Sequence, residues 1–138
     1  MTSGFTEIPH TADWAVRVWA PDLAGIFAEA AASLNSLAGI RLARAPRISK
    51  TLDREAPDPE TLLVGFLSEL VYIVEQERLA FDLFIIETEQ RTGSYLIKAM
   101  MEGASIIEQA RVIKAVTFHD LQIRTLEDGL EVEIVFDV

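Results

Sequence analysis

The 138-residue sequence predicts an α+β domain, a two-layer sandwich with two helices packed on one face of a mainly antiparallel, mixed β-sheet. Two stretches in the first half of the chain repeat apolar residues at helical spacing. Most of the second half instead alternates apolar and polar residues, and glycine-containing turns separate the alternating stretches. The sequence has no linker or internal repeat, so residues 1–138 are predicted to form a single domain.

Two strands are predicted at the start of the chain. Residues 4–8 form a short edge strand that Pro9 ends, because proline cannot donate a hydrogen bond to a sheet. Residues 13–19 then alternate, and the side that carries Asp13 is the more polar of the two. A half-buried strand is therefore expected to begin at Asp13.

Two helices are predicted from their start and stop signals. The first begins after Asp22, whose side chain can cap the helix, and ends at Gly39. The second begins at Asp58-Pro59-Glu60, which combines an acidic cap with a proline in the first turn, and runs to about Glu77. Each carries apolar residues at helical spacing, which indicates one buried face.

Most of the remaining chain is predicted to be strand. One strand is expected at 48–52, between the two helices. Residues 83–89 and 94–102 alternate on either side of a turn at 90–93, a pattern that is typical of a hairpin. Residues 130–138 alternate cleanly after a further turn and are predicted to form the last strand.

Two stretches between those strands are less regular. Gly103 to Arg111 has weak patterning and is predicted to be a loop. Residues 112–123 are rich in strand-forming residues and predict one long strand. A bend near His119-Asp120 is expected in it, because twelve residues is long for a single strand.

The composition narrows the range of functions. The chain has 12 Lys and Arg residues against 22 Asp and Glu residues, a net charge of −10. This acidity argues against direct nucleic-acid binding, which needs cations to displace phosphate counterions, and suits cation binding or docking on a basic partner. The absence of cysteine excludes disulfides and thiolate metal sites. No stretch has the length of a membrane span or the pattern of a signal peptide, so a cytoplasmic protein is expected.

Two aspartates near opposite ends of the chain are the leading candidates for metal ligands. Asp13 and Asp137 both lie on the more polar side of their predicted strands. Our hypothesis is that the fold brings them together with the terminal carboxylate of Val138 to hold a hard divalent cation. Ca²⁺ and Mg²⁺ prefer several oxygen ligands of this kind. The alternative is that both aspartates are ordinary solvated acids at strand ends.

The two histidines, His10 and His119, leave other sites open. A zinc or iron site that combines both with Asp13 is one alternative, and a small hydrolase that uses one histidine as its base is another. Neither histidine has ligand-like spacing around it, and a lone histidine near a turn more often serves as a hydrogen-bonded structural group. The sequence also lacks serine-nucleophile signatures and phosphate-binding glycine loops.

Five stretches, taken together, resemble one known family. They are His10-Thr11-Ala12-Asp13, the alanine-rich helix at 22–35, Leu62 to Tyr72, Ile113 to His119, and the closing Asp137-Val138. Their order and spacing over nearly the whole chain are similar to those of the archeases. These small acidic proteins assist the GTP-dependent RNA ligase of tRNA splicing.

The resemblance implies a fold, a site and a role. It implies an archease-like α+β fold with a divalent-cation site, typically for Ca²⁺ with Mg²⁺ or Mn²⁺ as alternatives. The ligands it implies are Asp13, Asp137 and the final carboxylate at Val138. It also implies a protein cofactor rather than an enzyme, with a chaperone-like action that promotes guanylylation and multiple turnover of the tRNA-splicing RNA ligase.

Three further residues, His10, Lys114 and His119, are candidates to support the ion site or to contact the ligase.

Two features depart from the family pattern. Trp14-Ala15 stands where archeases usually have Ile-Gly, and the predicted loop from Gly103 to Arg111 lacks the histidine that is common there. The alternative function is therefore an archease-like chaperone or binding module with a different protein client.

Overall fold

The computed structural model describes residues 1–9, 13–118 and 120–138. Two helices and nine strands occur within these residues. In chain order they are β1 (Gly4–Pro9), β2 (Asp13–Ala20), α1 (Leu23–Ala38), β3 (Arg41–Leu42), β4 (Ile48–Ala56), α2 (Pro59–Glu77), β5 (Leu79–Arg91), β6 (Ser94–Glu108), β7 (Ala115–Thr117), β8 (Arg124–Thr125) and β9 (Leu130–Asp137).

The strands form two sheets. In the first sheet β1 pairs with β2, β2 pairs with β9, and both β7 and β8 pair with β9. In the second sheet β6 pairs with β3, β4 and β5. The α+β class is confirmed, but the strands divide between two sheets instead of one mixed sheet, and each pairing in the described part of the chain is antiparallel. Alternation indicates that a segment is a strand without indicating which strand it pairs with.

Both helices have the predicted caps. The Asp22 side chain accepts a hydrogen bond from the N–H of Gly25 at 2.8 Å, and Gly39 ends α1 with a left-handed φ of 62°. At the start of α2 the Asp58 side chain accepts from the N–H of Thr61 at 2.7 Å. These short-range contacts explain why the helix bounds follow from local sequence. Neither helix in the described ranges has the length and apolar character needed to cross a membrane.

The helices lie between the two sheets and share one core with them. Helix α1 contacts β2 of the first sheet and β5 of the second, whereas α2 contacts β7 of the first and β4, β5 and β6 of the second. Phe27 and Phe66 are fully buried where the helices meet, with ring centroids 5.4 Å apart and ring planes tilted by 60°. This tilted packing of aromatic rings is favourable and ties the two helices together.

The stretch that was predicted to be a loop is mostly strand. β6 continues without a break as far as Glu108, so the prediction of a loop from Gly103 to Arg111 was wrong. The pairing of β6 with β5 shifts register between Phe81 and Leu83, which leaves Asp82 as the extra residue of a β-bulge. The pairing of β6 with β3 also changes register, from Glu108 opposite Arg41 to Ile106 opposite Leu42, which leaves Ile107 as an extra residue of β6. This irregularity interrupts the alternation of β6 itself and explains its weak pattern.

Arg47 holds the bulge at Asp82 in place. Its guanidinium donates hydrogen bonds to the Asp82 carboxylate at 3.2 Å and to the Glu102 carboxylate at 3.0 Å. The hydrogen bond from Arg47 lowers the pKa of the Asp82 carboxyl below its usual value. Next to Glu102, Gly103 allows the backbone of Ala80 to approach so closely that an added Cβ would overlap the Ala80 carbonyl. This glycine therefore permits close packing inside the sheet rather than ending a strand.

The long strand predicted at 112–123 was also wrong in its extent. Among the described residues of 112–123, only the three of β7 pair with β9, and pairing with β9 resumes at the two residues of β8. A turn with a left-handed φ of 53° at Asp120 lies between β7 and β8. The N–H of Ile123 donates to the carboxylate of Glu60, in the first turn of α2, at 2.9 Å. This hydrogen bond to a side chain of α2 takes the place of the strand-to-strand hydrogen bond that a strand through Ile123 would make.

Candidate metal-ion site

The first residue of β2 and the last residue of β9 lie side by side. The two strands are antiparallel, and Asp13 pairs with Asp137 in their register. Residues directly opposite each other on neighbouring strands point to the same face of the sheet and have Cβ atoms about 4.5–5.5 Å apart. Val138 follows Asp137 directly. The fold thus brings together the two aspartates that the sequence singled out, next to Val138.

Asp137 is held from both sides of its strand. Asp13 lies on one side, and Ala115 of β7 pairs with Asp137 on the other. The backbone N–H of Lys114 donates to the carbonyl of Asp137 at 2.7 Å. The Lys114 side chain is exposed, so this predicted supporting residue lies beside the paired aspartates. The neighbouring strands β2 and β7 therefore fix the backbone position of Asp137, from which its carboxylate extends.

The charges at this edge of the sheet favour a cation. Like charges directly opposite each other destabilise a pair of strands, and both Asp13 and Asp137 are half-buried, where charges interact more strongly than in bulk water. Two carboxylates supply only oxygen ligands, which suit Ca²⁺, Mg²⁺ or Mn²⁺. The residues present therefore fit a hard divalent ion.

Two aspartates alone are too few for such a site. Within residues 1–9, 13–118 and 120–138, no group of three or more His, Asp or Glu side chains could hold a metal ion. A site at Asp13 and Asp137 needs a further oxygen ligand of another kind, and the predicted carboxylate at Val138 is of that kind. The proposed ion site depends on this third ligand.

His10 and His119, which were predicted to support the ion site or to contact the ligase, lie outside the described residues, as do Thr11 and Ala12. The same applies to the alternative zinc or iron site that would combine both histidines with Asp13. Of the three residues predicted to support the ion site, Lys114 is therefore the one whose position the structure reports.

Arg111 is a residue near the site that sequence reasoning missed. The carbon at the centre of its guanidinium lies 4.3 Å from the ring centroid of Trp14, the residue after Asp13. Its Nη1 also donates to the carbonyl of Leu37 in the last turn of α1 at 2.6 Å. A cation placed over an indole ring is attracted to its face, so Arg111 holds the start of β2 against α1.

The segment around Arg111 is anchored at both ends. The backbone N–H groups of Ala110 and Arg111 donate to the carbonyl of Ala38 at 2.9 and 3.0 Å, and Lys114 is bonded to Asp137. Helix α1 has no basic residue in its own last turn, so Arg111 supplies the cation that favours a helix C-terminus. No local sequence signal identifies Arg111, because its partners come from distant parts of the chain.

We expect Arg111→Ala to lower the free energy of unfolding by about 1–3 kcal/mol, because it removes a charged hydrogen bond and a cation–π contact. It should also shift the emission of Trp14 in the folded protein. Urea unfolding followed by tryptophan fluorescence measures both effects. The control is Arg124→Ala, which removes an exposed ion pair with Glu131 and should cost less than about 1 kcal/mol. Equally small effects in the two variants would contradict the role of Arg111.

Comparison with known proteins agrees with the fold and the motif pattern. The sequence model of the archease protein family matches residues 5–138. The chain belongs to the archease family. The archease of Pyrococcus furiosus is 32% identical over 125 residues, which cover 87% of each chain. The archease of Methanosarcina acetivorans is 30% identical over 143 aligned positions, which cover 97% of this chain and 95% of that protein.

Two solved archease-type structures share the fold. The solution structure of protein 1598 from Methanobacterium thermoautotrophicum superposes with a TM-score of 0.81 at 22% identity and covers 98% of this chain and 99% of that one. The crystal structure of an archease from Thermotoga maritima, described as a possible chaperone, has a TM-score of 0.63 at 20% identity and covers 96% of each chain. The predicted family is therefore confirmed, together with the α+β archease fold.

Proposed function

We propose that this archease is a protein cofactor that promotes guanylylation and multiple turnover of the GTP-dependent tRNA-splicing RNA ligase. In this proposal Asp13, Asp137 and the carboxylate at Val138 hold a divalent cation, with Ca²⁺ preferred over Mg²⁺ or Mn²⁺. The observation that carries the proposal is the register of β2 and β9, which sets Asp13 opposite Asp137. Membership of the archease family supports a helper role of this kind, and the paired carboxylates support a role that depends on a metal ion.

The residues of the chain have separate tasks in this proposal. Asp13 and Asp137 present oxygen ligands from two hydrogen-bonded strands, so little conformational freedom is lost when an ion binds. The Lys114 amide fixes the Asp137 backbone, and the exposed Lys114 ammonium is available to a partner. A bound divalent ion would supply a positive centre at this otherwise acidic edge. The protein then acts by binding the ligase rather than by catalysing a reaction of its own.

The overall charge supports a protein client. The net charge of −10 favours association with a basic surface, and an enzyme that binds RNA needs such a surface to neutralise phosphates. The Thermotoga maritima archease is described as a possible chaperone, a helper role of the same general kind. Both points support a partner protein in preference to a small-molecule substrate.

A guanylylation assay with purified ligase tests the proposal. We expect Asp13→Ala to reduce stimulation of ligase guanylylation and turnover by about tenfold or more, as loss of a metal-supporting group does in other proteins. The fold should persist, since Asp13 lies at a strand end outside the core. Glu127→Ala, which removes an exposed turn carboxylate, should stimulate like the wild type. Full stimulation by the Asp13→Ala protein would refute the proposal.

The second candidate is an archease-like chaperone or binding module for a different client. The departure at Trp14-Ala15 favours it, because Trp14 is held under Arg111 immediately beside the paired aspartates. A change of residue at that position alters the surface next to the proposed ion. Stoichiometric capture of purified ligase by the wild-type protein would count against this candidate.

A further inference from the structure

The second sheet has one face against the helices and one face open to solvent. Along β6, Ile97, Ala99 and Met101 are buried in the core. Their neighbours in the same strand, Lys98 and Met100, are exposed on the opposite face. Successive side chains of a strand point to opposite faces, so this outer face continues onto the neighbouring strands β4 and β5.

Large apolar side chains occupy part of this outer face. Ile85 of β5 lies opposite Met100, and Leu83 lies two residues before Ile85 on the same face. Their exposed fractions are 57% for Leu83, 62% for Ile85 and 38% for Met100. A sheet with one solvated face normally carries polar residues there, so three adjoining apolar side chains indicate a surface that another molecule covers.

Carboxylates continue the face beyond the apolar residues. Asp53 and Glu87 lie on either side of Lys98 in the register. One rung further, Glu55 and Glu89 lie on either side of Leu96. A groove of about 720 Å³ is lined by residues 53–55, 87–89 and 96–98. We call the surface made by these exposed side chains the outer face; they are Asp53, Glu55, Leu83, Ile85, Glu87, Glu89, Arg91, Lys98 and Met100. Its four carboxylates outnumber its two cations, Lys98 and Arg91, of which Arg91 is ion-paired with Glu89 at 3.2 Å.

The charge of the outer face determines which occupant fits. A second copy of this chain packed face to face would bring together two surfaces that each carry more carboxylates than cations, which costs binding energy. Nucleic acids and acidic membranes would be repelled for the same reason. A protein surface with an apolar centre and flanking Lys or Arg residues matches both parts of the face, because carboxylates attract the cations while the apolar patch buries the centre.

We propose that the outer face docks a basic, apolar-centred protein surface, and that this surface belongs to the RNA ligase. The inference rests on the proposed function for the identity of the client, but it concerns a surface separate from Asp13 and Asp137. The outer face belongs to the second sheet, whereas the two aspartates end strands of the first. One surface provides binding to the ligase and the other holds the ion.

Binding of purified ligase, measured by calorimetry, tests the inference. We expect Leu83→Thr/Ile85→Thr to weaken ligase binding about tenfold or more, since residues at the centre of an interface dominate its affinity. Threonine keeps the strand preference of the residue that it replaces. Glu87→Lys/Glu89→Lys should weaken binding to a similar extent and reduce its sensitivity to salt. Both variants should keep the Ca²⁺ affinity of the wild type.

Matched controls separate docking from general effects. Ile107→Thr makes the same kind of change at an exposed residue near the other end of β6, and Glu75→Lys/Glu127→Lys reverses two exposed charges elsewhere. Both controls should bind the ligase like the wild type. Normal ligase binding by both outer-face variants would overturn this inference and leave the proposed function unaffected. Failure of the wild-type protein to bind the ligase would overturn the proposed function as well.

Discussion

The protein that ends at Val138 is expected to bind Ca²⁺ in calorimetry, and Asp13→Asn or Asp137→Asn is expected to weaken this binding by about 100-fold or more. Changes to groups that merely support a metal ligand already cost about 10–100-fold in affinity. Removing one of a small number of charged oxygen ligands should cost at least as much. The asparagine side chain keeps the shape of the aspartate, so the effect reports the lost charge.

Extending the chain tests the third ligand of this site. Added residues after Val138 would convert its terminal carboxylate into a peptide carbonyl, and Ca²⁺ affinity should fall. The same number of residues added before Met1 should leave it unchanged, as should Glu127→Gln. Parallel titrations with Mg²⁺ and Mn²⁺ rank the ions by affinity. Undiminished Ca²⁺ binding in the Asp13→Asn and C-terminally extended proteins would show that the ion, if it binds, binds elsewhere.

The largest expected effect on stability is at Gly103. Gly103→Ala is expected to lower the free energy of unfolding by about 3 kcal/mol or more, at or above the upper end of the usual cost of overpacking a core. The added Cβ would overlap the carbonyl oxygen of Ala80 and lie 2.7 Å from the Cα of Phe81. Both are backbone atoms of a paired strand, so no side-chain rotation can relieve the overlap. Urea unfolding measures the change.

Gly93 offers the matched control in the same hairpin. It lies in the turn with φ of 77°, and apart from Gly93 and its two chain neighbours no atom lies within 4 Å of the position of an added Cβ. Gly93→Ala should therefore cost only the conformational penalty of a left-handed residue, about 1–2 kcal/mol. A Gly103→Ala protein that is as stable as the Gly93→Ala protein would show that β5 and β6 can separate to admit a methyl group. The close approach at the bulge would then be dispensable.

Local sequence was sufficient to predict both helices and several strands. The caps at Asp22 and Asp58 depend on a hydrogen bond to a residue three positions later, so the information lies within one turn. The strand predicted at 48–52 is confirmed and extends to Ala56, and the hairpin around Gly93 is confirmed with longer arms. Contacts between residues that are close in the sequence can therefore be predicted from the local residue pattern.

Contacts between distant residues could not be predicted in this way. Gly103 resembled the start of a loop, but a glycine is needed there because the backbone of Ala80, in another strand, approaches it closely. Arg111 had no distinguishing pattern because Trp14 and Leu37, which it contacts, lie far away in sequence. The division of the strands between two sheets likewise depends on pairing partners, which alternation alone leaves open.

The paired aspartates show where the two kinds of information meet. The sequence by itself determined that Asp13 and Asp137 occupy the polar sides of their strands, because alternation is a local property. Only the tertiary structure decided that they lie opposite each other, since this depends on the register between β2 and β9. A slip of one residue in that register would turn one carboxylate toward the other face of the sheet and separate the two charges.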